Sequence, residues 1–569
     1  MNFIDQIWKS KLWLLITVLF LLFINWLASI YHTRIDLTNE QRFSLSNPTK
    51  NLLKRLDDVV EVKVFLKGDF PSGFKKLANS TDEMLQEFKE VAGNKLRYSF
   101  VSPGDEMEGT NVKWGDTLGG MGLYPINLKS QLKAGEQQQL IYPVALMRYK
   151  EKVIPVKLYS GIPNIGRQEI NSAEALMEYQ LADAIYKLSE QQKAMIAYST
   201  GNGEPQDART YDLVENVLRS DYNLKTVNLN TLPVMEDTFK LLLIVKPTQT
   251  FTDIEKLKID QFVMHGGKLL MFVDKLNAEM DSLRSRNEVI AYDRSLGLDD
   301  LLFKYGVRIN GDLVMDLQSD KLPFDVNGNG QYEFLSWNYF PVFASKSNHS
   351  VNKNLGFVSG RFVNSIDTVE AEGIHKTVIL SSSANARIIA APALISGKEN
   401  VNAPEDEKFK TADIPAGVLL EGKFTSMYKN RLSQAMTDSL EKHGTDFQSQ
   451  DIADNRMIIV ADGDIVLNDI VKNEPIAMGM NAFTYGSQYE YRFANKDFLQ
   501  NCLDYLIDQS GLSEAKAKDY TLRLLDTKKL AAEKTNWQLL NIAAPIFLVI
   551  LFAFIFQRLR RRKYRVKTI

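Results

Sequence analysis

Two stretches of nearly unbroken apolar sequence constrain this chain more than any other feature. LWLLITVLFLLFINWLASI at 12–30 and LLNIAAPIFLVILFAFIF at 539–556 each have the length that crosses a bilayer core. Trp537 heads the second, where an indole suits the membrane–water interface. A secretory signal is the rival reading of the first. Its apolar run is longer than a signal needs, and the large residues Ile30 and Tyr31 follow where small ones would permit cleavage. Both are therefore read as transmembrane helices, 12–30 and 537–556. The flank QRLRRRKYRVKTI is strongly basic, and the opening MNFIDQIWKSK carries Lys9 and Lys11. Basic flanks stay in the cytoplasm, so 1–11 and 557–569 are expected inside and 31–536 outside. In a bacterium that is a two-pass inner-membrane protein with a large periplasmic domain.

The ectodomain has room for a substantial core. A chain of 569 residues accommodates about three or four domains of ~100–200 residues. Its hydrophobic and charged shares, 45% and 24%, are those of folded protein, and a net charge of −2 gives no global sign of nucleic-acid binding. The single cysteine, Cys502, excludes an intramolecular disulfide framework and Cys-based zinc clusters. It reads as core filler on the packing face Phe498, Cys502, Tyr505 and Leu506 of a late helix.

The patterning divides the ectodomain in two. Over 31–189, the strand VVEVKVFL, a helix at about 73–92 and the strand LRYSFVSPG precede a hairpin, LIYPVALMRY and KVIPVKLY. The amphipathic helix EINSAEALMEYQLADAIYKLS follows. The order βαβ then ββα predicts a thioredoxin-like shape, without redox chemistry because no CxxC is present. Over 190–510, AMIAYS, LKTVNL, LLLIVKP and KLLMFVD alternate with helical patterns at 206–220 and 252–267. HKTVILSSS and RMIIVADGD read as later strands of the same sheet. This predicts an α/β domain with a mostly parallel sheet covered on both faces. An insertion is expected at 300–370, loop plus a surface helix at 397–450, and a charged juxtamembrane linker at 511–536.

Two loops carry the candidate binding residues. YSTGNGEP at 198–205 places Gly201, Asn202, Gly203 and Glu204 between a strand and a helix. It lacks GxxxxGK[ST], a spaced GxGxxG and GxSxG, so it is a tight turn, or a ligand or partner contact without chemistry. ADGDIVLND at 461–469 puts Asp462 and Asp464 at a strand's carboxyl end, the crevice side of an open α/β sheet. If their strands are neighbours, Glu204, Asp462 and Asp464 form one acidic rim suited to a hard cation. The alternative is capping and turn hydrogen bonds. DVNGNGQYEF at 325–334 begins like a calcium loop, but Ser336 stands where the bidentate Glu belongs, and an Asn-Gly hairpin turn explains it. The five histidines show no metal spacing. No catalytic residue, metal site or cofactor is assigned. Asn25 and Asn541, in or near the spans, are candidates for contact with partner helices, with interfacial solvation as the other reading.

These motifs, in this order, resemble the membrane-anchored auxiliary proteins of ABC-type transport systems. The resemblance rests on Arg34, Asp36, Leu37, Thr38 and the element Phe43-Ser44-Leu45-Ser46, on TGNGEP, on RMIIVADGDIVLND and on ANKDFLQNCLDYLID. Asn202 stands where His is common in that turn. The insertion LPFDVNGNGQYEFLSWNYFPVF is similar to the gliding-motility subgroup. The resemblance implies a glutamine-amidotransferase-like or intraflagellar-transport-like α/β domain without the catalytic cysteine. It also implies a multi-spanning permease and a cytoplasmic ATPase as partners, and periplasmic gliding or secretion components beyond them. The function expected is that of a non-catalytic subunit required for gliding motility or associated protein export. A periplasmic solute-binding receptor and a hydrolase or amidotransferase-like enzyme are the alternatives.

Overall fold

The computed structural model describes residues 17–25, 44–512 and 527–564, apart from 108, 122, 124, 133–134, 160–166, 191, 287, 328, 345–348, 354, 397–405 and 509–510. The class is mixed α/β. By contacts the chain forms two compact units, Met1–Asp519 and Tyr520–Ile569.

The first unit opens with a four-stranded sheet. Its strands are β1 (Val60–Val64), β2 (Leu96–Phe100), β3 (Val144–Tyr149) and β4 (Lys152–Lys157), in the order β2-β1-β3-β4. β1 and β2 are parallel, and the other pairs antiparallel. Helices α1 (Asn47–Lys54), α2 (Ser72–Ala92) and α3 (Arg167–Ser189) accompany it. Val60, Val62 and Val64 alternate into a core shared with Phe74, Phe88, Leu181 and Ile185. Ser46 caps α1 by accepting from the Thr49 amide, and Pro48 occupies its first turn.

The main sheet has seven strands: β5 (Met195–Thr200), β6 (Asn223–Asn228), β7 (Phe239–Val245), β8 (Lys268–Phe272), β9 (Ile374–Ser381), β10 (Pro415–Gly422) and β11 (Asn455–Val460). Their order is β9-β10-β11-β8-β7-β5-β6. The block β11-β8-β7-β5-β6 is parallel, and β10 runs antiparallel to both its neighbours. Alternate residues build two cores. Leu241, Leu243 and Val245 enter one face with Phe498, Cys502 and Leu503 of helix α5 (Asn495–Ile507). Leu242 and Ile244 enter the other with Ile259 and Val263 of helix α4 (Asp253–Met264). Burial on both faces is why these strands read as continuous apolar runs. A capping box of Thr252 and Glu255 starts α4, and at its end His265 Nδ1 lies 2.7 Å from the Gln261 carbonyl.

Two segments, 397–450 and 206–220, depart from the expected pattern, and the hairpin expected at 325–334 is present. The stretch 397–450, expected as loop and surface helix, contributes β10, a nearly buried strand inside the sheet, besides the helix Gln434–Lys442. The single helix expected at 206–220 is a 3-10 turn, Ala208–Thr210, then a π-helical run, Asp212–Leu218, and a last turn, Arg219–Asp221. Around 325–334 a hairpin forms between Ser319–Phe324 and Glu333–Phe343, and Asp325 accepts from the amides of Asn329 and Gly330. Its strand Glu333–Phe343 carries Trp337, Tyr339 and Phe340 into an edge-to-face aromatic core with Phe362.

The second unit contains helix α6 (Thr527–Tyr564) of 38 residues. Part of the expected linker, 527–536, and of the expected tail, 557–564, is thus continuous helix with the span between them. Its segment Trp537–Arg562 is the one helix among the described residues long and apolar enough to cross a membrane. Of the first expected span, 17–25 is helical with its side chains exposed, and 12–16 and 26–30 lie outside the described residues.

Candidate functional site

The glycine loop after β5 is closed upon itself. Gly201 and Gly203 have φ of 119° and 81°, a region in which a side chain is strained. A Cβ on Gly201 would fall 2.9 Å from Asn230 Nδ2, and one on Gly203 would overlap Thr248 Oγ1. Glu204 turns back to accept 2.8 Å hydrogen bonds from Ser199 Oγ and the Asn202 amide. The Asn202 carbonyl accepts from the amides of Thr248 and Gln249, which follow β7. Its side chain is buried, with Oδ1 unpartnered among the described residues. Tyr198 donates to the Pro205 carbonyl at 2.6 Å. Asp212, in the π-helical run, accepts from the Met478 amide at 2.6 Å and Asn468 Nδ2 at 2.9 Å. Such a widened turn fits helix to loop where regular winding would misplace the donor or acceptor.

The second loop lies elsewhere on the same rim. Because β11, β8 and β7 are adjacent, the residues that follow them converge: Asp462 and Asp464 after β11, Asp274 after β8 and Lys246 after β7. Lys246 Nζ, 5% exposed, lies 2.6 Å from Asp464, 3.2 Å from Glu279 and 3.3 Å from Asp274. Arg294 pairs with Glu279 and stands 3.8 Å from Asp274. Asp462 accepts from the amides of Arg361 at 2.7 Å and Asp464 at 2.8 Å. The Arg361 guanidinium forms a two-pronged pair with Asp469 at 2.5 and 2.7 Å. Gly463 has no room for a side chain, since its Cβ would lie 2.6 Å from Lys246 Cβ.

The electrostatics follow from burial and proximity. Burial alone would lower the Lys246 pKa, but Asp464, Asp274 and Glu279 outweigh it and hold the ammonium above the usual lysine range. Burial, then Asp464 and Asp274, push the Asp462 carboxyl well up, against the two amide hydrogen bonds. Burial also raises Asp274, and Lys246 and Arg294 oppose it.

The expected acidic rim therefore separates. Asp462 and Asp464 share the cluster, whereas Glu204 follows β5, on the far side of β7, and is satisfied locally. The β7 loop touches both groups, through Lys246 on one side and Thr248 and Gln249 on the other. Among the described residues no group of three or more His, Cys, Asp or Glu is arranged to hold a metal ion. The tethered ammonium of Lys246 occupies the middle of the carboxylates, where a bound cation would sit. Sequence reasoning missed Lys246, Asp274, Glu279, Arg294 and Arg361. A signal was present for two of them: LLLIVK and LLMFVD each end a buried strand in a charge, as IIVAD does. Asn541 is exposed on α6, and Asn25 is exposed at the end of 17–25.

The family described as an ABC-type uncharacterized transport system matches residues 193–502, and one described as a domain of unknown function matches 39–148. An uncharacterized protein of Borreliella burgdorferi is 22% identical over 436 residues, covering 74% of this chain and 78% of its own length. Among solved structures, the mmIFT52 N-terminal domain aligns with a TM-score of 0.30 and 11% identity, over 55% of this chain and 96% of that one. The exo-beta-1,4-mannosidase Op5Man5 from Opitutaceae bacterium strain TAV5 aligns at 0.18 and 9%, over 74% of this chain and 52% of that one. The first match spans the whole main sheet and both candidate loops, and the chain belongs to the family described as an ABC-type uncharacterized transport system.

Proposed function

We propose that the chain is a non-catalytic, periplasm-facing subunit of an ABC-type membrane complex that serves gliding motility or the associated export of proteins. The observation that carries this reading is the state of the sheet's carboxyl ends. This is the position where open α/β proteins hold ligands and do chemistry. Here the Lys246 ammonium is buried among Asp464, Glu279 and Asp274, and Glu204 is held by Ser199 and Asn202. Lys246 is bound up with its carboxylate neighbours and Glu204 with its own loop, so these groups favour a structural role over chemistry. They set the shape of a rim, and the loops 201–204 and 461–464 serve as a docking surface for a partner.

The chain has no GxxxxGK[ST] motif, so ATP hydrolysis belongs to a separate cytoplasmic ATPase, reached through a multi-spanning permease. Asn25 and Asn541 dock the two spans on that permease, with both termini cytoplasmic. Membership of the gliding-motility subgroup rests on the likeness of the insertion at 300–370. The test is purification of the tagged protein from native membranes in mild detergent, with its companions identified by mass spectrometry. A permease and an ATPase in fixed ratio are expected, and Leu at both Asn25 and Asn541 lowers their yield. Recovery of the chain alone, or with soluble periplasmic proteins only, defeats the proposal. Glu204→Gln with Asp464→Asn separates the enzyme reading: loss of motility with a full-yield complex that also keeps its periplasmic companions would favour chemistry at the rim.

A further inference from the structure

A cleft of about 880 Å³ opens beside the charge cluster, one residue along the chain from Asp274. The helix Asp299–Tyr305, the strand Val307–Ile309 and the turn at 426–431 wall it. Its two lining carboxylates are already engaged, Asp299 with Lys275 at 2.6 Å and Asp300 with Lys256 at 2.8 Å. Arg308 is paired with Asp367 at 2.5 Å. Three cations remain: Lys304, Lys429 and Arg431 line the cleft, are exposed, and have no carboxylate partner among the described residues. Beside them Phe303, 53% exposed, offers a ring in a position where a short amphipathic helix ordinarily turns a polar residue outward. Met427 adds a half-buried thioether.

We infer that this cleft binds a small organic anion, its phosphate- or carboxylate-type group against Lys304, Lys429 and Arg431 and its apolar part against Phe303 and Met427. The volume lies in the range of small-molecule sites, roughly 300–1,000 Å³. Excess charge of one sign in a concave wall raises the local concentration of an opposite ion. A planar guanidinium suits a phosphate or carboxylate fork better than an ammonium does, which gives Arg431 the orienting contact. The pairs that neutralise Asp299 and Asp300 keep the walls from repelling such a ligand. The inference does not depend on the docking role of the rim.

The experiment is calorimetric titration of the full chain in lipid nanodiscs with 2-naphthyl phosphate, 2-naphthoate and neutral 2-naphthol. Saturable binding of the phosphate is expected, weaker binding of the naphthoate, and none of the naphthol. Lys304→Ala with Lys429→Ala and Arg431→Ala weakens binding at least tenfold at an unchanged melting temperature, because all three side chains are exposed and unpaired. Phe303→Ala weakens both anions, and added salt weakens them further. Inorganic phosphate competes poorly, lacking the ring. Absence of saturable heat, equal binding to the triple variant, or naphthol binding as tightly as the phosphate would overturn the inference. If the naphthoate matches the phosphate, the site is a carboxylate site within the same proposal.

Discussion

Replacing Lys246 with Met tests whether the central cluster is held together by its internal cation. Methionine keeps most of the apolar stem, and Lys246 already has φ of 45°, so the backbone strain is common to both forms. What changes is the charge, which leaves Asp274 and Asp464 facing each other without their shared counterion. Removing one partner of a buried ion pair costs about 3–5 kcal/mol. Here the lower end applies. Glu279 is 32% exposed and can rehydrate, and Arg294 remains 3.8 Å from Asp274. The expected loss is therefore about 3 kcal/mol at pH 7.5, and it is smaller in acid because burial already raises the Asp274 carboxyl, which then takes up a proton. Urea unfolding followed by tryptophan fluorescence reads the loss in both conditions. Adding Asp464→Asn to the variant removes one unpaired charge and restores part of the loss, and the double-mutant cycle isolates that coupling. A loss below about 1 kcal/mol at pH 7.5, independent of pH, would refute the argument that Lys246 neutralises the cluster.

Three further outcomes follow from the same geometry. Gly203→Ala forces a side chain into φ of 81° against Thr248 and is expected to cost about 1–3 kcal/mol, measured as a lower urea midpoint; an unchanged midpoint would mean the loop yields freely. Glu204→Ala strands the buried Ser199 hydroxyl and Asn202 amide, at about 1–3 kcal/mol, with Glu204→Gln retaining more stability because its amide oxygen still accepts. Burial pushes the Asp451 carboxyl up to about 7, against hydrogen bonds from the Phe424 amide and Asn455. Its unfolded value is about 3.9, so the native state binds the extra proton in between. Its stabilising contribution is full below pH ~4 and is lost as pH rises through about 7, so the melting temperature falls from pH 5.5 to 8; Asp451→Asn flattens that fall, and an unaltered slope would count against the assignment.

Much of the architecture was legible because it is written locally. LLLIV and KLLMF declare buried strands by continuous apolarity, Thr252 and Glu255 announce a helix start, and α6 is apolar over a membrane's thickness. PAGVLLEG carries the same signal as the other strands, yet the polar residues around it concealed an inner strand. It runs antiparallel to both its neighbours, β9 and β11, and so stands outside the strand–helix alternation that marked the parallel block.

The candidate site divides along the same line. The two strained glycines and the carboxylates after strands could be read from single loops. Which carboxylates share a space could not, because it depends on the order of strands in the sheet. Lys246 meets Glu279 and Asp464 across 33 and 218 residues of chain, and β7 separates Glu204 from the cluster it was expected to join. A strand's hydrophobic pattern states that it is buried, and it carries no information about which strand lies beside it. The sequence by itself determined most of the elements, the membrane-length helix and the turns that only glycine permits, but not the inner strand β10 or the π-helical run. Tertiary pairing alone decided that Lys246 would fill the place of a bound cation, because the energy of a buried charge depends on what the rest of the fold brings within a few ångströms of it.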